Sequence, residues 1–248
     1  GNVYSGSRDK TARKINSSGA QVWSFTGHTG WVFAVAVDAS GNVYSGGGDK
    51  TVRKINSSGA QVWSFTGHIS TVNAVAVDKD GNVYSGSGDI DRTVRKISSS
   101  GQQVWSFTGH TSPVNAVAVD EGGNVYSGSS DNTVRKIRYI TALGTFYEKS
   151  NPVPKNVYKL ETKLEEIPGG QPSELWKFTG HTGGVNALAV DTSGNVYSAS
   201  TDNTVRKISS SGSQVWSFTG HISTVNAVAV DKDGNVYSGG DDNTVRKI

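Results

Sequence analysis

Histidine, serine and aspartate recur together along this sequence, and these are the residue types of a hydrolytic triad or of a metal site. Each of the five histidines follows Phe-Thr-Gly, at positions 28, 68, 110, 181 and 221. A triad needs one exposed nucleophile beside an oriented base, and zinc needs ligands about 2.1 Å from the metal. Near-identical copies, one in each repeat, fit neither requirement. We therefore expect these side chains to be structural, with no catalytic residue, no metal and no cofactor.

The histidines belong to a module that is copied along the chain. Their spacings are 40, 42, 71 and 40 residues, Asn-Val-Tyr-Ser occurs six times, and Arg-Lys-Ile closes six segments. Copies this similar indicate recent duplication or deliberate design. A period near 40 predicts either propeller blades or a solenoid.

Each module contains four short segments typical of strands. In one copy they are the apolar run Val72–Val77, then residues 82–85, 93–97 and 103–108, with glycine-rich and serine-rich turns between them. Small Val and Ala side chains suit a crowded centre, and radial repetition protects sheet edges. The sequence thus predicts an all-β fold. It would be one β-propeller domain over residues 1–248, with about six four-stranded antiparallel blades, of which the two terminal blades are incomplete.

Gly-His before the first strand and Ser-Gly-x-x-Asp after the second resemble the WD-repeat family. In that family a buried His, Ser and Asp join a Trp in a network that holds each blade together. Carried over by position, this implies five structural sets: His28, Ser45 and Asp49; His68, Ser85 and Asp89; His110, Ser127 and Asp131; His181, Ser198 and Asp202; and His221, Ser238 and Asp242. The Trp-Asp pair that names the family is absent, and tryptophan stands on the fourth strand instead.

The composition narrows the classes of protein. There are 31 glycines, 5 prolines and no cysteine, and the formal net charge is +3. Six Arg-Lys pairs recur once per module, so basic charge should circle the ring rather than form a nucleic-acid groove. We expect no nucleic-acid partner and no membrane insertion, since no stretch approaches about 20 apolar residues. The absence of Cys and Met slightly favours an extracellular or cell-surface location, and a chain without Met is expected to be processed, truncated or part of something longer.

One stretch, residues 138–172, interrupts the repeat between the third and fourth strands of its module. Val157, Leu160, Leu164 and Ile167 recur at helical steps, which predicts a short amphipathic helix over residues 156–167. It is interpreted as a surface embellishment, a docking element that uses Leu160 and Leu164, or a degenerate extra blade.

The loops after Gly-His, and the hairpins before the third strand, differ most between copies. Candidate interaction residues there are Arg8, Trp31, Phe33, Ile90, Arg92 and Pro113. Aromatic side chains at exposed positions often mark contacts. We therefore predict a non-catalytic scaffold for protein–protein interaction or self-assembly, not an enzyme. The alternative is a carbohydrate-binding lectin or adhesin with sites between blades.

Overall fold

The chain folds into antiparallel sheets of short strands, and the part of it that the structure describes contains no helix. A computed structural model describes residues 1–139, 143–149, 158–164 and 171–248. Six sheets of three or four strands follow one another, and we number them as blades 1 to 6. The predicted all-β class is confirmed.

Every blade uses strands of the same four kinds. The first strands are β4 (Val32–Val37), β8 (Val72–Val77), β12 (Val114–Val119), β18 (Val185–Val190) and β22 (Val225–Val230). The second strands are β1 (Val3–Gly6), β5 (Val43–Gly47), β9 (Val83–Ser87), β13 (Val125–Ser129), β19 (Val196–Ser200) and β23 (Val236–Gly240). The third strands are β2 (Ala12–Ile15), β6 (Val52–Ile55), β10 (Val94–Ile97), β14 (Val134–Tyr139), β20 (Val205–Ile208) and β24 (Val245–Lys247). The fourth strands are β3 (Gln21–Phe25), β7 (Gln61–Phe65), β11 (Gln103–Phe107), β17 (Pro172–Phe178) and β21 (Gln214–Phe218).

Blades 2 to 5 are complete four-stranded sheets, in the orders β4-β5-β6-β7, β8-β9-β10-β11, β12-β13-β14-β17 and β18-β19-β20-β21. Blade 1 is the three-stranded sheet β1-β2-β3, and blade 6 is β22-β23-β24. The predicted incomplete terminal blades are therefore present. They are less covered than the others, because Val245 of β24 is exposed whereas its counterparts Val94 and Val205 are fully buried.

The hydrophobic core lies between neighbouring blades. Tyr44 and Val52 of blade 2, for example, form one buried cluster with Val72 and Ile97 of blade 3. The first strand of each complete blade contacts the first strand of the next blade. A glycine on the second strand permits this approach, since a Cβ on Gly86 would come within 2.6 Å of a methyl carbon of the next first strand.

The interruption after blade 4 contains an antiparallel pair of strands, β15 (Leu143–Lys149) and β16 (Tyr158–Leu164). The prediction of a helix over residues 156–167 is therefore wrong for its central part, and its first two and last three residues lie outside the described residues. The sequence Tyr-Lys-Leu-Glu-Thr-Lys-Leu also alternates at a period of two, which suits a strand. Pairing with residues 143–149 then decides between the two periods. Leu160 and Leu164 lie on β16.

The loops and turns fall on two opposite faces because the strands alternate in direction. We call one the loop face: it carries the segments after Gly-His and the hairpins between second and third strands. The other is the turn face, with turns such as residues 38–41 and 56–59. The interruption leaves from the turn face, since it joins a third strand to a fourth. Among the described residues, no helix is long and apolar enough to cross a membrane.

Candidate functional site

The histidine of blade 2 sits in a closed hydrogen-bond network. The Ser45 hydroxyl lies 2.7 Å from Nε2 of His28, and Nδ1 lies 2.9 Å from a carboxylate oxygen of Asp49. With the proton on Nδ1, the ring donates to the carboxylate and accepts from the serine. Asp49 also accepts from the Thr51 hydroxyl at 2.8 Å and from the Thr29 backbone N–H at 3.0 Å. All ring nitrogens and both carboxylate oxygens are thus satisfied within one blade.

The same arrangement recurs in the other blades that have a first strand. The predicted residues come together, with histidine–serine distances of 2.7 or 2.8 Å, in three further sets: His110 with Ser127 and Asp131, His181 with Ser198 and Asp202, and His221 with Ser238 and Asp242. The sets are therefore a buried hydrogen-bond network that is repeated in every blade with a first strand.

Blade 3 corrects one predicted residue. Nδ1 of His68 lies 2.6 Å from Asp91, and Ser85 completes the set, whereas the predicted Asp89 is exposed and takes no part in it. The hairpin of blade 3 is two residues longer than the others. The aspartate that matters is fixed by its distance to the third strand, two residues before Thr93, so counting backwards from Thr-Val-Arg-Lys-Ile would have found it.

Burial governs the proton equilibria of these sets. Burial lowers the pKa of His28, His68 and His181 below 6.5, although hydrogen bonds to aspartate act in the opposite direction. The rings are therefore neutral at pH 7. Burial alone would raise the pKa of Asp49 and Asp202, but hydrogen bonds from threonine and histidine outweigh it and lower the pKa.

The described side chains form no group of three or more His, Cys, Asp or Glu suited to a metal ion. Ser45 and its counterparts Ser85, Ser127 and Ser198 have no exposed surface. A nucleophile must meet its substrate, so these serines are placed for packing rather than for attack.

Tryptophan does not join the histidine set. Trp23 donates from Nε1 to the carbonyl of Ser57 in the next blade at 3.2 Å, and its ring packs against Gly59 of the same turn. Trp63 and Trp176 repeat this contact. The fourth member of each network is instead the threonine at the start of the third strand, which sequence reasoning missed.

Trp105 is the exception among these tryptophans. Its ring is 4 % exposed, and its Nε1 has no acceptor among the described residues. The next blade is blade 4, where the interruption replaces the serine turn that supplies the carbonyl elsewhere. The interruption therefore removes the contact that Trp23, Trp63 and Trp176 make.

Backbone hydrogen bonds hold the loops of the loop face in place. The Val32 backbone N–H donates to Ser7 of the blade 1 hairpin at 3.0 Å, and Gly48 of the blade 2 hairpin donates to the Trp31 carbonyl at 2.7 Å. The second contact recurs in the following blades, for example from Ser130 to Pro113. Each loop after Gly-His is thus held against a hairpin.

Two family models match the chain. One, described as outer membrane protein assembly factor BamB, matches residues 8–141, just over half of the chain. The other, described as WD domain, G-beta repeat, matches residues 172–208 and 212–247. The chain therefore belongs to the BamB-like repeat family, and its WD repeats over residues 172–247 are consistent with a propeller of the WD-repeat type. No curated protein matches the sequence. Both matched regions contain Asn-Val-Tyr-Ser and Thr-Val-Arg-Lys-Ile, so the two models recognise copies of one module.

Two exposed aromatic side chains and an arginine lie together where blades 1 and 2 meet. Trp31 and Phe33 are both exposed, with ring centroids 6.0 Å apart in an edge-on arrangement. The guanidinium of Arg8 lies 4.8 Å from the Trp31 ring centroid, within reach of a cation–π interaction. The structure thus brings together three of the predicted interaction residues.

The other predicted interaction residues of the propeller are dispersed. Ile90 and Arg92 are exposed on the longer hairpin of blade 3, and Pro113 is half-buried in the loop before β12. Leu160 and Leu164 lie on β16, in the stretch that leaves from the turn face.

The repeated Arg-Lys pairs contact neighbouring side chains of the fold, and Lys14 and Lys136 also donate to a carbonyl of the next blade. Arg53 lies 3.4 Å from Asp49 and bonds Gln61 at 2.6 Å. The Lys54 amine lies 5.4 Å from the ring centroid of Tyr44. These cations contact their own blades and recur once in each blade instead of forming one patch.

Proposed function

We propose that this propeller is a non-catalytic scaffold that binds protein partners through its loop face. Repeats of the WD and BamB-like kinds serve in general as scaffolds for protein interaction or assembly. The finer assignment to one face depends on where this chain exposes apolar side chains.

The observation that carries the proposal is a set of exposed large apolar residues on the loop face. They are Trp31, Phe33, Ile69, Ile90 and Ile222. Each occupies a position at which other copies of the module have a different residue; Ile69 and Ile222, for instance, replace threonine. Exposed apolar groups cost solubility, and contact with a partner is a common reason for their presence.

Burial of the histidine sets supports the non-catalytic part of the proposal. The serines and imidazoles that resemble triad members are closed off from solvent and fully hydrogen-bonded within their blades. We expect a panel of ester, peptide and glycoside substrates to give no turnover above that of a heat-denatured sample.

The interruption adds a second candidate contact region on the turn face. Because it leaves from the end of β14 and returns at β17, a partner that used it would bind the side of the propeller opposite to the loop face. The scaffold could then hold two proteins at once, or link copies of itself face to face.

The geometry gives little support to the alternative function, which is carbohydrate binding between the blades. Sugar-binding sites between blades would need open tryptophan faces, but the ring of Trp23 packs against Gly59, and the ring of Trp176 packs against Gly212. Trp31 is on the loop face and is not repeated.

Photo-crosslinking tests the proposed face. A crosslinking amino acid is placed at Ile69 on the loop face or at Val62 on a fourth strand; these sites are 57 % and 54 % exposed, so accessibility is matched. With the tagged chain expressed in its native host, we expect defined protein adducts from position 69 and none from position 62. An adduct of twice the chain's mass would identify self-association. Equal adduct yields from the two positions would contradict the proposal.

A further inference from the structure

Positive charge is unevenly distributed over the loop face. The hairpins of blades 1, 2 and 3 carry Lys10, Lys50 and Arg92 at one equivalent position. The hairpins of blades 4, 5 and 6 carry asparagine there, at positions 132, 203 and 243. Blade 1 adds Arg8, and blade 6 has Asp241 at the corresponding place. The face therefore changes from basic to acidic between its two ends.

The backbone at this position favours asparagine over a cation. All six residues have positive φ, with 71° at Lys10 and 66° at Lys50 compared with 67° at Asn203. Asparagine is several-fold enriched in this left-handed region, and lysine is not. Lysine is therefore disfavoured by the backbone conformation at this position. Its presence there indicates that the side chain has a role other than stabilising the turn.

Three of these cations form no ion pair within the part of the chain that the structure describes. Lys10, Lys50 and Arg8 are exposed, and none has a carboxylate within 4 Å among the side chains that the structure describes. The acids nearby are already engaged: Asp9 pairs with Arg13 at 2.5 Å, and Asp49 serves the histidine set. The hairpins of blades 1 and 2 therefore present net positive charge to solvent.

The same two hairpins enclose the exposed aromatic pair. The loop that holds Trp31 is bonded to Ser7 of one hairpin and to Gly48 of the other. We define the blade 1–2 patch as Arg8, Lys10, Trp31, Phe33 and Lys50. It combines an apolar centre with a cationic rim, which is the composition of a recognition site for a charged protein segment.

We propose that the blade 1–2 patch binds an acidic segment of a partner protein, with an apolar side chain of that segment against Trp31 and Phe33. This assignment rests on the proposed function and names its partner class. The carboxylates complement Arg8, Lys10 and Lys50, which pair with no described acid, and the apolar side chain covers the rings. A nucleic acid is less suited, because the basic hairpins are few and the far end of the face is acidic.

Peptide titration tests the proposal. The probe is a labelled, amidated peptide in which Leu and Phe alternate with pairs of Glu, and binding is followed by fluorescence anisotropy and by the emission of the intact chain. We expect saturable binding that weakens strongly between low salt and about 0.5 M salt, since surface charges are screened. A peptide with Lys in place of Glu should not bind.

The decisive variants copy residues from the other blades. The double variant K10N/K50N should weaken binding roughly tenfold, and Trp31→Thr, which copies Thr71, should weaken it by a similar factor. The matched control is K79N/K232N, which removes two exposed lysines from the turn face and should leave affinity within twofold. Because asparagine suits the left-handed backbone, K10N/K50N should melt no lower than the parent chain.

Three outcomes would overturn the proposal. One is equal loss of affinity in K10N/K50N and K79N/K232N, and another is no binding of the acidic peptide at low salt. The third is tighter binding of a single-stranded oligonucleotide than of the peptide at the same patch. If photo-crosslinking from Ile69 still yields protein adducts, these results leave the loop-face scaffold intact and remove only the acidic partner.

Discussion

Blade 2 differs from blades 3 to 5 at one surface position near the start of the first strand, which we call the rim. All four blades share the same buried His-Ser-Asp-Thr network. In blades 3 to 5 an asparagine on the first strand donates its amide to a carbonyl of the next first strand: Asn73 to Val114 at 3.3 Å, Asn115 to Val185 at 3.1 Å, and Asn186 to Val225 at 3.1 Å. Blade 2 has Phe33 at that position, exposed beside Trp31.

The difference shows which parts of the module accept change. The buried His-Ser-Asp-Thr network is the same in all complete blades, because each member satisfies a buried polar group that another would leave unpaired. The rim amide only adds a tie between blades at the surface. Losing this hydrogen bond costs little stability, and the position then becomes available for contact with a partner.

The largest effect should come from removing an interior histidine. His68→Ala leaves the buried Ser85 hydroxyl and one oxygen of Asp91 without their partner, so we expect a loss of about 2–4 kcal/mol in the free energy of unfolding. Urea unfolding measures it, and the neighbouring exposed change Ile69→Thr is the control. A loss below about 1 kcal/mol would mean that the interior is no more sensitive than the rim.

The next largest effect on stability should distinguish two aspartates of blade 3, one in the buried network and one in the exposed hairpin. Asp91→Asn weakens the bonds to His68 and Arg95, and we expect a loss of about 1–3 kcal/mol. Asp89→Asn lies two residues away in the exposed hairpin and should change stability by less than about 0.5 kcal/mol. Equal effects in chemical denaturation would show that either aspartate can complete the set.

As the pH falls, the buried histidines should lower the stability of the folded chain before the aspartates are protonated. The folded pKa of His28, His68 and His181 lies below 6.5, so the unfolded chain binds more protons as the pH falls through 6.5, and stability decreases with falling pH. We expect a loss of about 1 kcal/mol between pH 6.5 and 5.5. The lowered aspartate pKa values add a further loss only below about pH 4.

The variant His68→Gln, which cannot titrate in this range, should remove the contribution of His68 and so reduce the dependence between pH 6.5 and 5.5, while His28 and His181 keep theirs. Unfolding midpoints measured across that range at constant salt provide the check. An unchanged slope in the variant would assign the acid sensitivity to other groups.

The smallest effect should be a gain. Phe33→Asn gives blade 2 the amide that blades 3 to 5 already have, and its expected acceptor is the Val72 carbonyl. We expect about 0.5 kcal/mol of added stability from one partly exposed hydrogen bond. Thermal melting of the variant tests this, with Asn73→Ala in blade 3 as the reciprocal change. A less stable Phe33→Asn chain would show that the aromatic pair is itself part of the packing.

The sequence predicted the sheets because the module repeats, and each copy supports the reading of the others. Where there is only one copy, that support is missing. Residues 158–164 fit a helical and a strand period, and only pairing with residues 143–149, a contact between distant positions, distinguishes them. The misassigned Asp89 has a similar origin, since the longer hairpin offers two aspartates.

The candidate site was partly predictable for another reason. Trp31, Phe33 and Arg8 stood out by departing from the other copies, but their closeness depends on a loop bonded to two hairpins from different blades. The role of Thr51 was missed because a threonine before a strand has an ordinary local explanation as a β-former. Its hydroxyl contact with Asp49 appears only in three dimensions.

The side-chain hydrogen bonds of Trp23 and Asn73 each run from one copy of the module to a backbone carbonyl of the following copy. A module with both ends of these contacts carries a donor for its successor and a carbonyl for its predecessor, whereas Trp105 has no acceptor among the described residues. We expect such a chain to tolerate the gain or loss of whole copies, because the donor and the acceptor lie at the same positions of the repeated module. Changes of partial length have no such protection, and the unmatched indole of Trp105 marks where one occurred.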